Sequence, residues 1–414
     1  MSHSKARPLD GIRVLDLTVA LSGPYAALLL GGLGAEVIHV EAPGGGDIAR
    51  TNPPFVGPEG VNFGSRKDGE VSLTLLNRAR NKKSITLDLK TPRGHALFMR
   101  LAKACDVVIE NMSEGATARL KVDYERVREV NPKIVYASIK AFGEPSATPA
   151  LKGMDVIVQA LSGIMEATGM QDGPPMRWGL PIADLVAPMF AVHGVLAALI
   201  HQGRTGEGQQ VRVSMLDCLA SLLAEEHFDV MSAAGYPTRS GNFHDRLAPF
   251  GVYPTRDGHV AIVAFSEEWM VGLVDAMGQP HLADDPRFSN RGIRMKHASE
   301  LNALIEAWTF ERNSDEVVRE LHECRNVPCV RVRKPLQVLN DPLLHASGAL
   351  MKLSHPKLGS ISAIGMGLPI EFSRTPSQFD QPATELGSAN ADIYGGMLGM
   401  SAEEIAGLLS DGVI

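Results

Sequence analysis

Short apolar runs alternate with longer amphipathic stretches through the first third of the chain. Ile12-Arg13-Val14-Leu15-Asp16-Leu17 is a compact apolar run of the length of a buried strand. Gly23-Pro24 then opens a helix that runs to Leu33, with proline at an early position where its missing N–H does no harm. Gly34 closes that helix, and residues 36–41 form the next strand. The alternation returns as a helix over 91–104 before a strand over 106–110, and a helix over 124–130 before a strand over 133–139. Strands separated by helices of this length predict a mostly parallel sheet covered by helices, an α/β protein of Rossmann-like topology.

Further along, an apolar helix is expected over 185–200, Leu185 to Ile200, preceded by Gly179-Leu180-Pro181-Ile182-Ala183-Asp184. It falls short of the ~20 residues of a membrane span and carries His193, so it reads as a buried core helix. Near 231–241 the texture changes to the polar, loop-like Ser240-Gly241-Asn242-Phe243-His244-Asp245-Arg246. Strands over 250–252 and 260–264 around the turn Arg256-Asp257-Gly258, then helices over 267–277 and 299–310, suggest a smaller α/β region. Beyond Val330 a tail rich in proline and glycine carries a few strands and a last helix over 402–409.

A length of 414 residues exceeds one ordinary core and argues for two domains. Hydrophobic content of 44% and charged content of 21% are ordinary for a globular protein. A net charge of -7 with no basic block argues against nucleic acid as the main partner, although Arg78, Arg80, Lys82 and Lys83 form a local cluster able to hold a small phosphorylated ligand. Residues 1–8 are short and polar with no signal-peptide pattern, and no membrane role is expected. The four cysteines, Cys105, Cys218, Cys324 and Cys329, are sparse, which fits a cytoplasmic protein with reduced thiols. His322-Glu323-Cys324 with Cys329 matches no common zinc spacing, and no metal site is expected.

The first strand is followed by Thr18-Val19-Ala20-Leu21-Ser22-Gly23-Pro24, with one glycine where a dinucleotide fold has G-x-G-x-x-G. A pyrophosphate cannot approach that backbone closely, so NAD is not expected despite Glu41 at the ribose-binding position. Asp184 is the candidate of most consequence. At the mouth of a helix it serves as an N-cap for the first free N–H groups, or as a desolvated nucleophile held against the helix N-terminus.

Taken together and in order, several segments resemble the class III CoA-transferases, the CaiB/BaiF family. They are Gly34-Ala35-Glu36-Val37-Ile38, Asn81-Lys82-Lys83-Ser84-Ile85-Thr86-Leu87-Asp88-Leu89-Lys90, Asp106-Val107-Val108-Ile109-Glu110-Asn111, Gly153-Met154-Asp155 with Gln159-Ala160-Leu161-Ser162-Gly163, and Asp184 followed by an alanine-rich helix and Arg204-Thr205-Gly206-Glu207-Gly208-Gln209. The family includes formyl-CoA transferase and the carnitine and bile-acid CoA-transferases, with α-methylacyl-CoA racemase as a divergent branch. The resemblance runs from Pro8 to Ile414. It implies that Asp184 is a nucleophile that passes through aspartyl anhydride and aspartyl-CoA intermediates, with Gln159 in a supporting polar role. Acyl-CoA and a carboxylic acid are then the substrates, and no prosthetic group is implied. By motif, Ala20 and Leu21 follow the first strand at the CoA, Leu87 and Lys90 match the adenine side, Asn111, Ala116, Arg119 and Leu120 match the nucleotide and pantetheine loop, and Lys152 matches a lysine of the CoA channel. It also implies a large CoA-binding domain formed by 1–225 and completed by the tail 331–414, a smaller α/β domain inserted over 226–330, and an interlocked homodimer.

The chain departs from the family at several points. Ala42 follows Glu41 where a basic residue is frequent, and 240–248 lacks the glycine run that closes over the formyl-CoA transferase site. His244 and Arg246 in that segment are candidates to meet an acyl carboxylate such as succinate. Pro188 is placed in the first turn of the long helix, where proline is tolerated. Met154 stands where the racemases have a histidine, and methionine cannot move a proton, which leaves racemisation as the rival reading without its second base. A non-catalytic CoA-binding protein is the rival from another class, and the presence of Asp184 weighs against it.

Overall fold

The computed structural model describes residues 6–143, 151–244 and 246–414. Its main sheet has six parallel strands: β1 (Arg13–Asp16), β2 (Glu36–Glu41), β3 (Lys82–Thr86), β4 (Val107–Glu110), β5 (Val135–Lys140) and β6 (Gln210–Ser214). The spatial order is β3-β2-β1-β4-β5-β6. Leu15 of β1 sits between Ile38 of β2 and Val108 of β4. The strands read as apolar runs because helices cover both faces, and Val14, Leu15, Ile38, Ile85, Val107, Val108 and Ile109 are fully buried. The chain steps outward from β1 to β2 and β3, then returns to place β4 on the other side of β1. That reversal makes a crevice at the carboxyl ends of β1 and β4, the place where open α/β sheets hold ligands.

Seven helices bear on the site: α1 (Ser22–Gly32), α2 (Leu73–Arg78), α3 (Pro92–Lys103), α4 (Ala116–Leu120), α5 (Tyr124–Val130), α6 (Asp155–Leu161) and α7 (Ile182–Thr205). The strands and helices expected up to residue 140 are all present within a residue or two. Between β2 and β3 the structure adds α2 and a small antiparallel sheet of Phe55–Gly57, Gly60–Asn62 and Val71–Ser72, which the hydrophobic pattern did not indicate.

Helix α7 corrects two expectations. It has 24 residues, so by length and composition it is long enough to cross a bilayer. It is nonetheless a core helix, because Ala183, Ala187, Ala191, Val195 and Ala198 are buried and it packs on α1, α6, β5 and β6. Pro188 lies inside the helix rather than in its first turn. It therefore has no N–H to give the carbonyl of Asp184, four residues back.

The described chain divides into two compact units, one of 1–162, 179–222 and 339–414, the other of 163–178 and 223–338. In the first, Ile393, Tyr394, Leu408, Val413 and Ile414 from the end of the chain join the core under the sheet. The second is built on an antiparallel sheet of Phe250–Thr255, Gly258–Val263 and Cys329–Arg331. Its core of Tyr253, Ile262, Phe288, Leu301 and Ile305 surrounds a fully buried Arg294, which is held by Glu267 and the carbonyls of Phe265 and Phe288.

Candidate active site

The crevice at the sheet's switch point is built around the loop after β1. Thr18 gives its backbone N–H and its hydroxyl to Asp16, which turns the chain sharply. Ala20 then adopts a left-handed φ of 69°, a conformation an alanine keeps only where its surroundings fix it. Here they do. Its N–H donates to Asp47 Oδ1 at 3.0 Å, and its carbonyl accepts from Arg78 Nη1 at 2.8 Å. Asn111, just past β4, pairs with both backbone groups of Val19 at 2.9 and 2.8 Å and reaches Ser22 Oγ at 3.5 Å. The loop is thus clamped from three elements and delivers Ser22, the first residue of α1, to the site.

Beneath the loop lies a buried charged layer. Lys82 Nζ donates to Asp16 Oδ2 at 2.9 Å and to the Pro24 carbonyl at 3.0 Å, and His39 Nδ1 contacts the same Asp16 oxygen at 3.0 Å. Burial opposes ionisation of Asp16, but Lys82 and His39 override it and hold its carboxyl well below the usual range. Glu41, buried likewise, is brought down to about 2 by hydrogen bonds from Arg50 and by His39. Lys82 and Arg80 are buried and Lys83 is engaged by Glu36 and Asp392. The basic cluster expected around 78–83 is therefore not a phosphate patch, since its members point into different parts of the unit.

Asp184 is the third residue of α7, whose N-cap is Pro181. The capping expectation is therefore corrected. The Ala183 N–H is taken at 2.9 Å by Asp155 Oδ1, from the first residue of α6. Asp155 was read from the sequence only as part of the Gly153-Met154-Asp155 motif and not as a site residue, because its partner lies 28 positions away. Its other oxygen accepts from Gln159 Nε2 at 2.7 Å, and that amide also reaches the Leu180 carbonyl at 3.4 Å. Gln159 is fully buried. In this arrangement it orients Asp155 and the approach to α7.

Relieved of capping, the Asp184 carboxyl lies beside the Ser22 side chain, whose hydroxyl favours its ionised form. Burial pushes its pKa up to about 6, the neighbouring Asp155 adds to this, and Arg78 and Ser22 oppose it. A carboxylate that is desolvated yet ionised at neutral pH is a competent nucleophile, since it has shed the water that would blunt it. The N-terminus of α7 adds a favourable dipole.

The other candidate residues are placed as follows. Leu21 immediately precedes α1. Leu87 is buried in the sheet's core, whereas Lys90, three residues on, is exposed. Ala116, Arg119 and Leu120 form α4, just beyond Asn111 at the end of β4, with Arg119 exposed. Lys152 is exposed just before α6. All follow carboxyl ends of strands or the crossovers beyond them. His244 and Arg246 belong to the second unit, where His244 stacks on Phe250 and Arg246 pairs with Glu226 at 2.7 Å. Among the described residues no cluster of metal-ligating side chains occurs.

Such a site, a desolvated carboxylate at a helix N-terminus in the crevice of a doubly wound sheet, is the kind that supports group transfer through a covalent carboxylate. The chain belongs to CoA-transferase family III, whose model matches residues 9–390, and it is a class III CoA-transferase. It is 36% identical over 389 residues to a succinate–glutarate CoA-transferase of Agrobacterium fabrum, covering 93% of this chain and 94% of that one. A succinyl-CoA:mesaconate CoA-transferase of Haloarcula marismortui is 37% identical, covering 89% and 90%. A formyl-CoA:oxalate CoA-transferase of Streptomyces avermitilis is 34% identical, covering 99% and 100%. Among solved structures, a CAIB/BAIF family protein from Brucella suis superposes with a TM-score of 0.81 at 31% identity, over 95% of this chain and 100% of that one.

Proposed function

We propose that the enzyme moves CoA between dicarboxylic acids through covalent intermediates on Asp184. The Asp184 carboxylate attacks the thioester carbonyl of the donor acyl-CoA, forming a mixed anhydride and expelling CoA thiolate. The thiolate attacks the Asp184 carbonyl of that anhydride, giving an aspartyl-CoA thioester and releasing the donor acid. The acceptor carboxylate attacks the thioester, forming a second anhydride and freeing the thiolate once more. Attack of the thiolate on the acceptor carbonyl yields the new acyl-CoA and restores Asp184. Each step exchanges one acyl bond for another, so no outside oxidant, reductant or metal is needed.

The observation that carries this reading is the state of Asp184: freed from capping, largely desolvated, pushed up to about 6 and set beside Ser22 at the mouth of the loop after β1. Ala20, Leu21 and Asn111 line the loop where the pantetheine thiol would arrive. Leu87 and Lys90 would lie on the adenine side, and Ala116, Arg119, Leu120 and Lys152 would meet the nucleotide end of CoA. A dicarboxylate as the transferred acid is supported by the relatives that act on succinate, glutarate and mesaconate. His244 and Arg246, expected to meet the acyl carboxylate, lie in the second unit, where Glu226 already neutralises Arg246, and the dicarboxylate proposal does not depend on them. Met154, at the racemases' histidine position, cannot carry a proton, and nothing in the geometry favours racemisation. The proposal includes an interlocked homodimer.

Asp184→Asn keeps the shape of the side chain and removes the nucleophile. It is expected to lower kcat by at least about 10³-fold while acyl-CoA still binds. Turnover within tenfold of wild type would remove Asp184 from the covalent role.

A further inference from the structure

Arg78 ends α2 half-buried, and its single hydrogen bond among the described residues runs from Nη1 to the Ala20 carbonyl at 2.8 Å. Its Nε and Nη2 have no partner there, and no carboxylate pairs with it. A guanidinium taken this far out of water with no carboxylate at ion-pair distance is costly, and an incoming anion that met its free edge would offset that cost. Burial weakens its hold on the proton, and the charges that oppose this are Asp184 and Asp47. The bond to Ala20 places the guanidinium two residues from Ser22, whose side chain lies beside the nucleophile. Arg78 and Asp184 therefore flank one loop within one compact unit.

Charge balance indicates what the free donors are for. Asp155 and Asp184 already put two carboxylates in the site, and an acid with a second carboxylate brings a further negative charge. Without a cation that charge would be repelled. A guanidinium with a free edge matches a carboxylate in shape as well as sign. The exposed Lys90, Arg119 and Lys152 remain for the phosphates of CoA. Arg246, the other candidate, has Glu226 as its partner.

We propose that Arg78 binds the distal carboxylate of the transferred acyl group, and so sets the preference for dicarboxylic over monocarboxylic acids. This rests on the dicarboxylate reading above. It deepens that reading by naming the residue that enforces it.

The test is isotope exchange between an acyl-CoA and its own labelled acid, which requires no knowledge of the natural acceptor. Succinyl-CoA with labelled succinate is compared with butyryl-CoA and labelled butyrate, in wild type, Arg78→Met and Arg78→Lys. Wild type should exchange succinate faster. Arg78→Met slows both exchanges through its contact with Ala20 and its charge near Asp184, but should slow succinate exchange roughly 10- to 100-fold more than butyrate exchange, so that the preference disappears. Arg78→Lys, which keeps the charge without the fork, should fall between them. Equal losses for both acids in Arg78→Met would show that the residue only braces Ala20, and an undiminished preference would show that the carboxylate is bound elsewhere; either overturns the inference and leaves the transferase reading standing. A wild type that exchanges both acids equally would overturn the dicarboxylate reading, and Arg78's role with it.

Discussion

At the scale of single residues, the proposed mechanism turns on the ionisation of Asp184. Because its pKa is raised to about 6, the attacking carboxylate is lost as the pH falls through that value. The kcat/KM for acyl-CoA is therefore expected to decline roughly tenfold per pH unit on the acid side of about 6. The groups that set this limb are Asp155, which raises it, and Arg78 and Ser22, which lower it, all acting on a carboxyl already shifted by burial. Asp155→Asn removes the like charge, so the limb should move to lower pH; an unmoved limb would show that Asp155 serves only to cap α7. The position of Asp184 was legible in the sequence through its motif. Its freedom from capping was not, since that depends on Asp155 reaching the Ala183 N–H from a different helix. Arg78 was visible only as one of several basic residues. What separates it from Arg80, Lys82 and Lys83 is the direction each takes after folding.

At the scale of elements, the start of α1 and the start of α7 bring the site together. Gly23, in the first turn of α1, allows the helix to close on the turn before it: a Cβ there would lie 2.3 Å from Thr18 Cβ. Gly23→Ala must push the loop away, with an expected loss of about 1–3 kcal/mol of stability and a raised KM for acyl-CoA. Thermal unfolding together with steady-state kinetics checks this, and an unchanged midpoint would mean that the loop yields without cost. The strands of the main sheet were legible because burial on both faces makes each an unbroken apolar run. The small sheet of 55–72 was not, because its strands are two or three residues long and set among glycines, prolines and charges. The sequence pattern also placed the start of α7 too late, and so assigned Pro188 to its first turn. The first-turn carbonyl that lacks its helical partner belongs to the proposed nucleophile itself.

At the scale of the molecule, the chain's end returns to the sheet it began, with Val413 accepting the Asp88 N–H at 2.8 Å and Ile414 buried in the core. On the other side of α7, Met189, Phe190 and Ile200 are exposed in a single chain. Apolar side chains of this size on a central helix fit the proposed homodimer, in which a second copy would cover them. Light scattering behind size exclusion should give twice the chain mass and hold it on dilution to nanomolar concentration, since interlocked chains separate only by unfolding. A monomer that remains fully active would contradict that assembly. The interlocking was read from family resemblance alone, because hydrophobic periodicity describes how one chain packs and carries no record of how two are threaded.

The central claim is that the side chain of Asp184 becomes acylated during turnover. Mass spectrometry of the enzyme incubated with succinyl-CoA and then hydroxylamine tests it directly, because hydroxylamine converts an activated carboxyl to a hydroxamate. A hydroxamate on Asp184 in wild type, missing from Asp184→Asn, is the expected result. Turnover of acyl-CoA by the wild type without any modification of Asp184, across a panel of donors, would contradict it.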